Sequence, residues 1–294
     1  MTIEMSATDV REFAELHLRA LEADEVRFNL QIAAITSATK ETTAGYRGWT
    51  LGAPGHCAIQ RPGYPILLGK LDRDECEELA KATASISYPG VVGSEQTPSW
   101  FVQFATSMGD AHFEDPIPQR IHALASAPKY PGARGSARPV GAADAPLLFD
   151  WLVAFHRQAV PHDPPPERAN VDKAAASGRY QFWTVDEEPV SVAAIARRLR
   201  HTGAVSSVYT PFDRRSRGYA GSVTAAVADQ LFAEGKTSVC LVTDLRNPIS
   251  NRCYAKIGFT PHCDSWHYVR KSSRDTTDRG GPRRPSAAHQ MTGI

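Results

Sequence analysis

The stretch Phe212 to Ser222, FDRRSRGYAGS, sets Arg214, Arg215 and Arg217 directly ahead of the small residues Gly218, Ala220 and Gly221. The apolar, β-branched run AVSSVYT (204–210) before it predicts a strand, and YAGSVTAAVADQLFAEG after it predicts a helix. A strand that turns tightly into a helix presents unsatisfied backbone N–H groups at one point, and the helix dipole adds partial positive charge there. Such a terminus is an anion site. Gly218 and Ala220 let an anion approach the backbone, and arginine guanidinium groups can bind phosphate through two hydrogen bonds. The anion that suits this turn is a phosphate or pyrophosphate. The turn is not a P-loop, because no Gly-Lys-Ser/Thr follows, and Gly218 with Gly221 does not make a dinucleotide fingerprint. A solvated basic turn capping a helix is the other reading of the stretch taken alone.

Other chemistry-bearing residues form no comparable constellation. His262, Cys263 and His267 lie near Cys253, but at no zinc-binding spacing. The run Arg197-Arg198-Leu199-Arg200-His201 reads as a solvated hairpin end rather than a nucleic-acid patch. Trp49, Trp100, Trp151 and Trp183 read as core or pocket aromatics.

The elements around the turn follow from periodicity. Residues 142–159 (AADAPLLFDWLVAFHRQA) put Leu147, Leu148, Trp151, Leu152 and Phe155 on one helical face. PHDPPP (161–166) must be a loop, and a short helix, PERANVDKAAAS, follows. YQFWTVD and PVSVAAIARRLR, joined at Glu187-Glu188, predict an antiparallel hairpin. After the arginine turn and its helix come strand TSVCLVTD, helix ISNRCYAKIG and a last strand pair around FTPHCDSWHYVRK. The order is α-α-β-β-β-α-β-α-β. Upstream, residues 9–35 and 72–86 predict three helices, CAIQRPGYPILLGKL predicts short strands broken at Pro-Gly, and SYPGVVGSEQTPSWFVQFATSMGD predicts turn, strand and helix. The Pro-, Gly- and Arg-rich residues 126–141 separate the two parts. The expected division is an N-terminal domain 1–128, a linker 129–138, a C-terminal domain 139–271 and a disordered polar tail 272–294.

Bulk properties exclude several classes. At 294 residues, with 33 basic against 32 acidic side chains, no global field favours nucleic acid or an anionic membrane. Five cysteines without a Cys-x-x-Cys pair fit reduced thiols. The N-terminus carries acids where a signal peptide would be apolar, and no run is long enough to span a bilayer. A cytoplasmic protein is the expectation.

Arg215-Ser216-Arg217-Gly218-Tyr219-Ala220 matches the Arg/Gln-x-x-Gly-x-Gly/Ala motif of the GCN5-related N-acetyltransferase (GNAT) superfamily, after a strand and before a helix. The N-x-x-x-N-x-x-Y-x-x-I-G-F run from Asn247 to Phe259 and the element order also resemble it, over roughly residues 138–270. The resemblance implies an α/β (α+β) fold, a mixed central sheet flanked by helices. It implies acetyl-CoA as co-substrate, its pyrophosphate on Arg215, Ser216, Arg217, Gly218, Tyr219 and Ala220. The pantetheine arm would pair along Val208, Tyr209 and Thr210, with Asn247 and Asn251 as further contacts. Tyr254 would be the general acid to the departing thiolate; a half-buried packing aromatic is its bland alternative. Phe212 departs from the pattern, since many relatives have proline there. The N-terminal part has no phosphate motif and resembles the degenerate copy found in bipartite members.

The expected activity is acetyl transfer to a primary amine of a small molecule, with no nucleic acid, membrane or metal involved. Transfer to a protein lysine or N-terminus, or acyl-CoA binding without turnover, are the alternatives. The proton of the incoming ammonium could go to Asp244, His156 or His162. Glu187, Glu188, Asp163 and Glu167 are the acids that could favour a cationic acceptor.

Overall fold

The computed structural model describes residues 3–4, 7–40, 45–109 and 111–271; the expected tail 272–294 lies outside the described residues. The chain runs through one series of elements twice. The first pass is β1 (Ile3–Glu4), α1 (Ala7–Leu21), α2 (Asn29–Lys40), β2 (Arg47–Thr50), β3 (Cys57–Gln60), β4 (Ile66–Leu68), α3 (Arg73–Thr83), β5 (Gly90–Ser94), α4 (Thr97–Ser107) and β6 (Ile117–Leu124). The second is β7 (Ser136–Pro139), α5 (Ala145–Ala159), α6 (Arg168–Ala175), β8 (Tyr180–Val185), β9 (Glu188–Arg198), β10 (Thr202–Tyr209), α7 (Tyr219–Ala233), β11 (Ser238–Asp244), α8 (Pro248–Ile257) and β12 (Thr260–Val269).

The twelve strands of the described residues join one sheet in the order β1-β2-β3-β4-β5-β12-β6-β11-β10-β9-β8-β7. Read with the second pass matched to the first, that order is a palindrome, so the halves are related by a pseudo-two-fold axis between β12 and β6. Each half hands its last strand across this axis. β6 pairs antiparallel with β11, from Val239↔Leu124 to Asp244↔Gln119, and β12 pairs antiparallel with β5, from Ser265↔Ser94 to Val269↔Gly90. The expected final strand pair is therefore one strand, β12, whose neighbour β6 comes from the first half. Pro118 and the polar residues of IPQRIHAL hid that strand from a reading by alternation. The expected linker also holds an edge strand, β7, which pairs with β8. The connector between the halves is residues 125–135.

Local chemistry explains the elements around the arginine turn. The β8–β9 turn uses Asp186 and Glu187 at φ 49 and 66, the left-handed pair that a two-residue hairpin requires. On one face of the sheet α7 and α8 bury Ala193, Ile195, Val205, Val223, Leu231, Leu241 and Tyr254; on the other α5 and α6 bury Leu148, Phe182 and Val192. Gly203 makes room for the close approach of α7, since a Cβ there would lie 2.6 Å from Leu231. Among the described residues, no helix is long and apolar enough to cross a membrane.

Candidate active site

β10 and β11 pair in parallel only from Thr202↔Ser238 to Ala204↔Cys240. Beyond that they diverge, and β11 turns its other edge to β6 as far as Asp244. β10 keeps β9 on its far side, with register shifts at Ala204/Val205 and between Ser206 and Tyr209, and Ser207 in the left-handed region at φ 52. The side of Val205–Thr210 that faces the divergence is a strand edge to which an extended amide-bearing ligand can add. Its far side is fixed: Ser191 Oγ donates to the Tyr209 carbonyl at 2.9 Å and shares a hydrogen bond with Thr210 Oγ1 at 2.8 Å.

At the end of β10 the chain passes Pro211 and a 3-10 turn, Phe212–Arg214, into α7. Ser216 (φ 61) and Gly218 (φ 84) are left-handed, and Gly218 caps the helix with no side-chain hydrogen bond. The amides of the first turn are thus left for a ligand or for water. Arg215 is less available than expected. Its Nε donates to the Thr210 carbonyl at 3.0 Å, an Nη donates to Gln158 Oε1 at 2.7 Å, and its guanidinium lies 5.6 Å from the Phe212 ring centre. It braces the turn against β10 and α5. Arg214 pairs with Glu188 at 3.4 Å and Asp213 at 3.3 Å, whereas Arg217 is exposed with one long contact to the Asp213 carbonyl. Of the three arginines, Arg217 is the one with a guanidinium to spare for an anion.

The second cluster lies where β11 meets α8. Asn247 caps the helix, its Oδ1 accepting from the Ser250 amide at 3.1 Å. Asn251 donates to the carbonyls of Asp244 (3.2 Å) and Asn247 (2.8 Å), and its Oδ1 accepts from the Thr243 hydroxyl at 2.6 Å. Both of its N–H groups are spent on the turn, so it clamps the β11–α8 junction and can offer a ligand only an oxygen lone pair. His122, on the exchanged strand β6, lies 3.2 Å from the Thr243 hydroxyl, so the first half supports this clamp. No sequence signal pointed to His122, because β6 was not recognisable, and Thr243 stood in a predicted strand with nothing to mark it as a partner of Asn251. Tyr254, a turn after Asn251, is buried and packs edge-on against Phe259 at 6.2 Å. Burial first, and then Cys253, push its phenol above the ordinary value.

Of the proton acceptors considered, Asp244 is bound by the Arg246 guanidinium at 2.9 Å and also accepts from the Arg246 amide, so it orders its loop. The His156 Nε2–H donates to the Asp163 carbonyl at 2.7 Å. His162, in the α5–α6 connector, stands 6.5 Å from the buried His267 of β12, ring to ring. Burial and then His162 lower His267 to about 4, so that ring is neutral near pH 7.

The first half keeps the layout and closes the start of its equivalent helix. Where α7 starts uncapped, α3 starts with Asp72 and Glu75 in a reciprocal capping box, and Glu75 also holds His56 at 2.8 Å. Two carboxylates occupy the position an anion would take. At the place equivalent to the α5–α6 connector, Arg27 of the α1–α2 connector pairs with Glu95, Asp24 with His262 at 2.8 Å, and the Glu25 carboxylate accepts the amides of His201 and Thr202.

Residues 184–270, which include the arginine turn and the α8 cluster, match the profile of the family described as FR47-like protein. No curated protein matches the chain. Among solved structures, a GCN5-related N-acetyltransferase from Kribbella flavida aligns with a TM-score of 0.57 at 16% identity, over 85% of this chain and 98% of that one. One from Sphaerobacter thermophilus gives 0.56 at 14% identity, over 92% and 95%. A tandem GNAT protein from the clavulanic acid biosynthesis pathway gives 0.55 at 11% identity, over 97% and 99%. At such identities the likeness is one of fold. The fold, with the open turn before α7, is a mixed α/β fold of GNAT architecture. More particularly, residues 184–270 carry the FR47-like pattern, and the first half repeats the architecture with the equivalent helix start closed by its own capping box.

Proposed function

We propose that the chain is an acetyl-CoA-dependent N-acetyltransferase whose second half binds the co-substrate and acetylates a primary amine of a small molecule. One observation carries this reading: the uncapped, left-handed start of α7 lies beside a strand edge of β10 that β11 has left. An anion site next to an unpaired strand edge suits a ligand that has a pyrophosphate at one point and an amide-bearing arm beyond it. Of the residues considered, the amides from Arg217 to Ala220 and the Arg217 side chain fit the pyrophosphate, and Val208–Thr210 fits the arm. The bound co-substrate supplies an activated acetyl thioester.

The residues of this chain handle protons around that step. The amine nitrogen bonds to the thioester carbonyl carbon, the C–S bond breaks, and the sulfur leaves with the electron pair. Tyr254, whose phenol carries its proton at neutral pH, gives that proton to the sulfur and takes up the one that the new amide nitrogen sheds. The proposed acceptor of the ammonium proton is a histidine of the entry elements, His162 or the Nδ1 of His156, because Asp244 is held by the Arg246 guanidinium.

Calorimetric titration with acetyl-CoA tests the reading. The wild type should bind, and Gly218→Asp, which sets bulk and negative charge at the anion position, should not. Tyr254→Phe should keep binding within a few-fold and release thiol about a hundredfold more slowly with an accepted amine. Absence of binding by the wild type would end the reading, and an unslowed Tyr254→Phe would remove the tyrosine's role.

A further inference from the structure

Gly221 raises a question that the phosphate motif does not answer, because it lies one residue beyond Ala220. A Cβ on Gly221 would lie 2.6 Å from Tyr130 Oη and 2.8 Å from its Cζ; one on Gly218 would lie 3.6 Å from the same hydroxyl. The missing side chain is the seat of Tyr130, which belongs to the connector between the halves. Tyr130 also packs on the core formed by α7 and α8, and the electrostatic influence of Cys253 reaches its phenol. The ring therefore lies at the first turn of α7, against the core that α7 shares with α8 and on the side of Cys253.

The connector is tied down on both sides of the active-site turn. The Ala133 amide donates to Ser222 Oγ at 2.7 Å, on the first turn of α7. Trp183 Nε1 donates to the Arg134 carbonyl at 3.0 Å, and Arg134 pairs with Asp186 at 2.5 Å. Residues 130–134 thus cross the start of α7 and end on the β8–β9 hairpin. If the function proposed above holds, the pyrophosphate sits at the start of α7 and the thiol near Tyr254. Tyr130 then occupies ground between the two ends of the co-substrate.

The geometry points to residues 130–134 as a strap across the co-substrate cleft, with Tyr130 as its latch: acetyl-CoA loads by displacing the tyrosine from the Gly221 seat. This rests on the function proposed above. A docked strap lowers the apparent affinity by the fraction of time the cleft is closed, so loosening the latch must tighten binding.

The test is acetyl-CoA titration of the full chain, as wild type, Tyr130→Ala and Trp183→Phe, with association rates from stopped flow. Tyr130→Ala should bind roughly three- to tenfold tighter, the gain lying in the association rate, and Trp183→Phe should move the same way by less. Wild-type binding with equal or weaker binding by Tyr130→Ala overturns the strap, makes the tyrosine a wall of the cleft and leaves the acetyltransferase reading intact. Binding by none of the three overturns both, and so separates the two failures. Should Tyr130→Ala not fold, amide exchange in the wild type decides instead. Saturating acetyl-CoA should speed exchange at the Ala133 amide, and unchanged or greater protection there overturns the strap.

Discussion

Histidine 17 shows how one buried ring sets a pH limit. The Gly55 amide donates to its Nδ1 at 3.1 Å, so the ring proton sits on Nε2 and faces Thr50 Oγ1 at 2.9 Å. Protonating Nδ1 would replace an acceptor with a donor opposite a donor. Burial, and then His56, lower this histidine to about 4 from 6.5. The unfolded chain therefore takes up a proton between pH 6.5 and 4 that the folded chain refuses, and stability falls as pH falls through that window. His267, lowered to about 4 by burial and then by His162, adds to the loss with the same sign. Each contributes about 2 kcal/mol between pH 7 and pH 5. Denaturant unfolding should show that loss in the wild type, and His17→Gln should remove about half of it. A wild-type stability equal at the two pH values would contradict the assignment of neutral, buried rings.

At the level of elements, the comparison of α3 with α7 is the most informative, since the two helices hold equivalent places and differ at their starts. The capping box of Asp72 and Glu75 satisfies the amides of α3 from within; α7 leaves them open behind Gly218. Asp72→Ala should cost about 1 kcal/mol in unfolding free energy, as loss of an N-cap does. Inorganic pyrophosphate should raise the melting temperature of the wild type but not of Gly218→Asp, because of these two helices it is α7 that leaves its first-turn amides open. Equal stabilisation of both proteins would place the anion elsewhere. The contrast was half legible in the sequence. The glycine pattern and the arginines marked α7, and periodicity gave the helices, hairpin and strands around it. The engagement of Arg215 and Asn251 was not legible, because spacing shows which side chains can reach a site but not which are already bonded to Thr210, Gln158 or Asp244. Nor was β6, since Pro118, Gln119, Arg120 and His122 break the alternation by which a half-buried strand declares itself. It is a strand because β11 and β12 both pair with it.

For the whole molecule that pairing has a consequence for folding. Strands β6 and β12 lie side by side at the centre of the sheet, each between its counterpart and a strand of the opposite half. Neither half keeps a complete sheet when the chain is cut in the connector. Removing residues 1–124 strips β6 from between β11 and β12, and leaves two long strands with unpaired amides and carbonyls facing one another. It also removes His122 from the Thr243–Asn251 clamp. The expectation is that residues 125–271 made alone do not fold: their amide spectrum should be collapsed, and they should not bind acetyl-CoA. Co-expression with residues 1–124 should restore both properties, because the exchanged strands carry their own registers. The intact chain should unfold in a single calorimetric transition, since the strands that join the halves are interior to the sheet. A well-dispersed spectrum from residues 125–271, or two separate transitions in the intact chain, would show instead that the second half is an independent domain and the first an accessory packed against it.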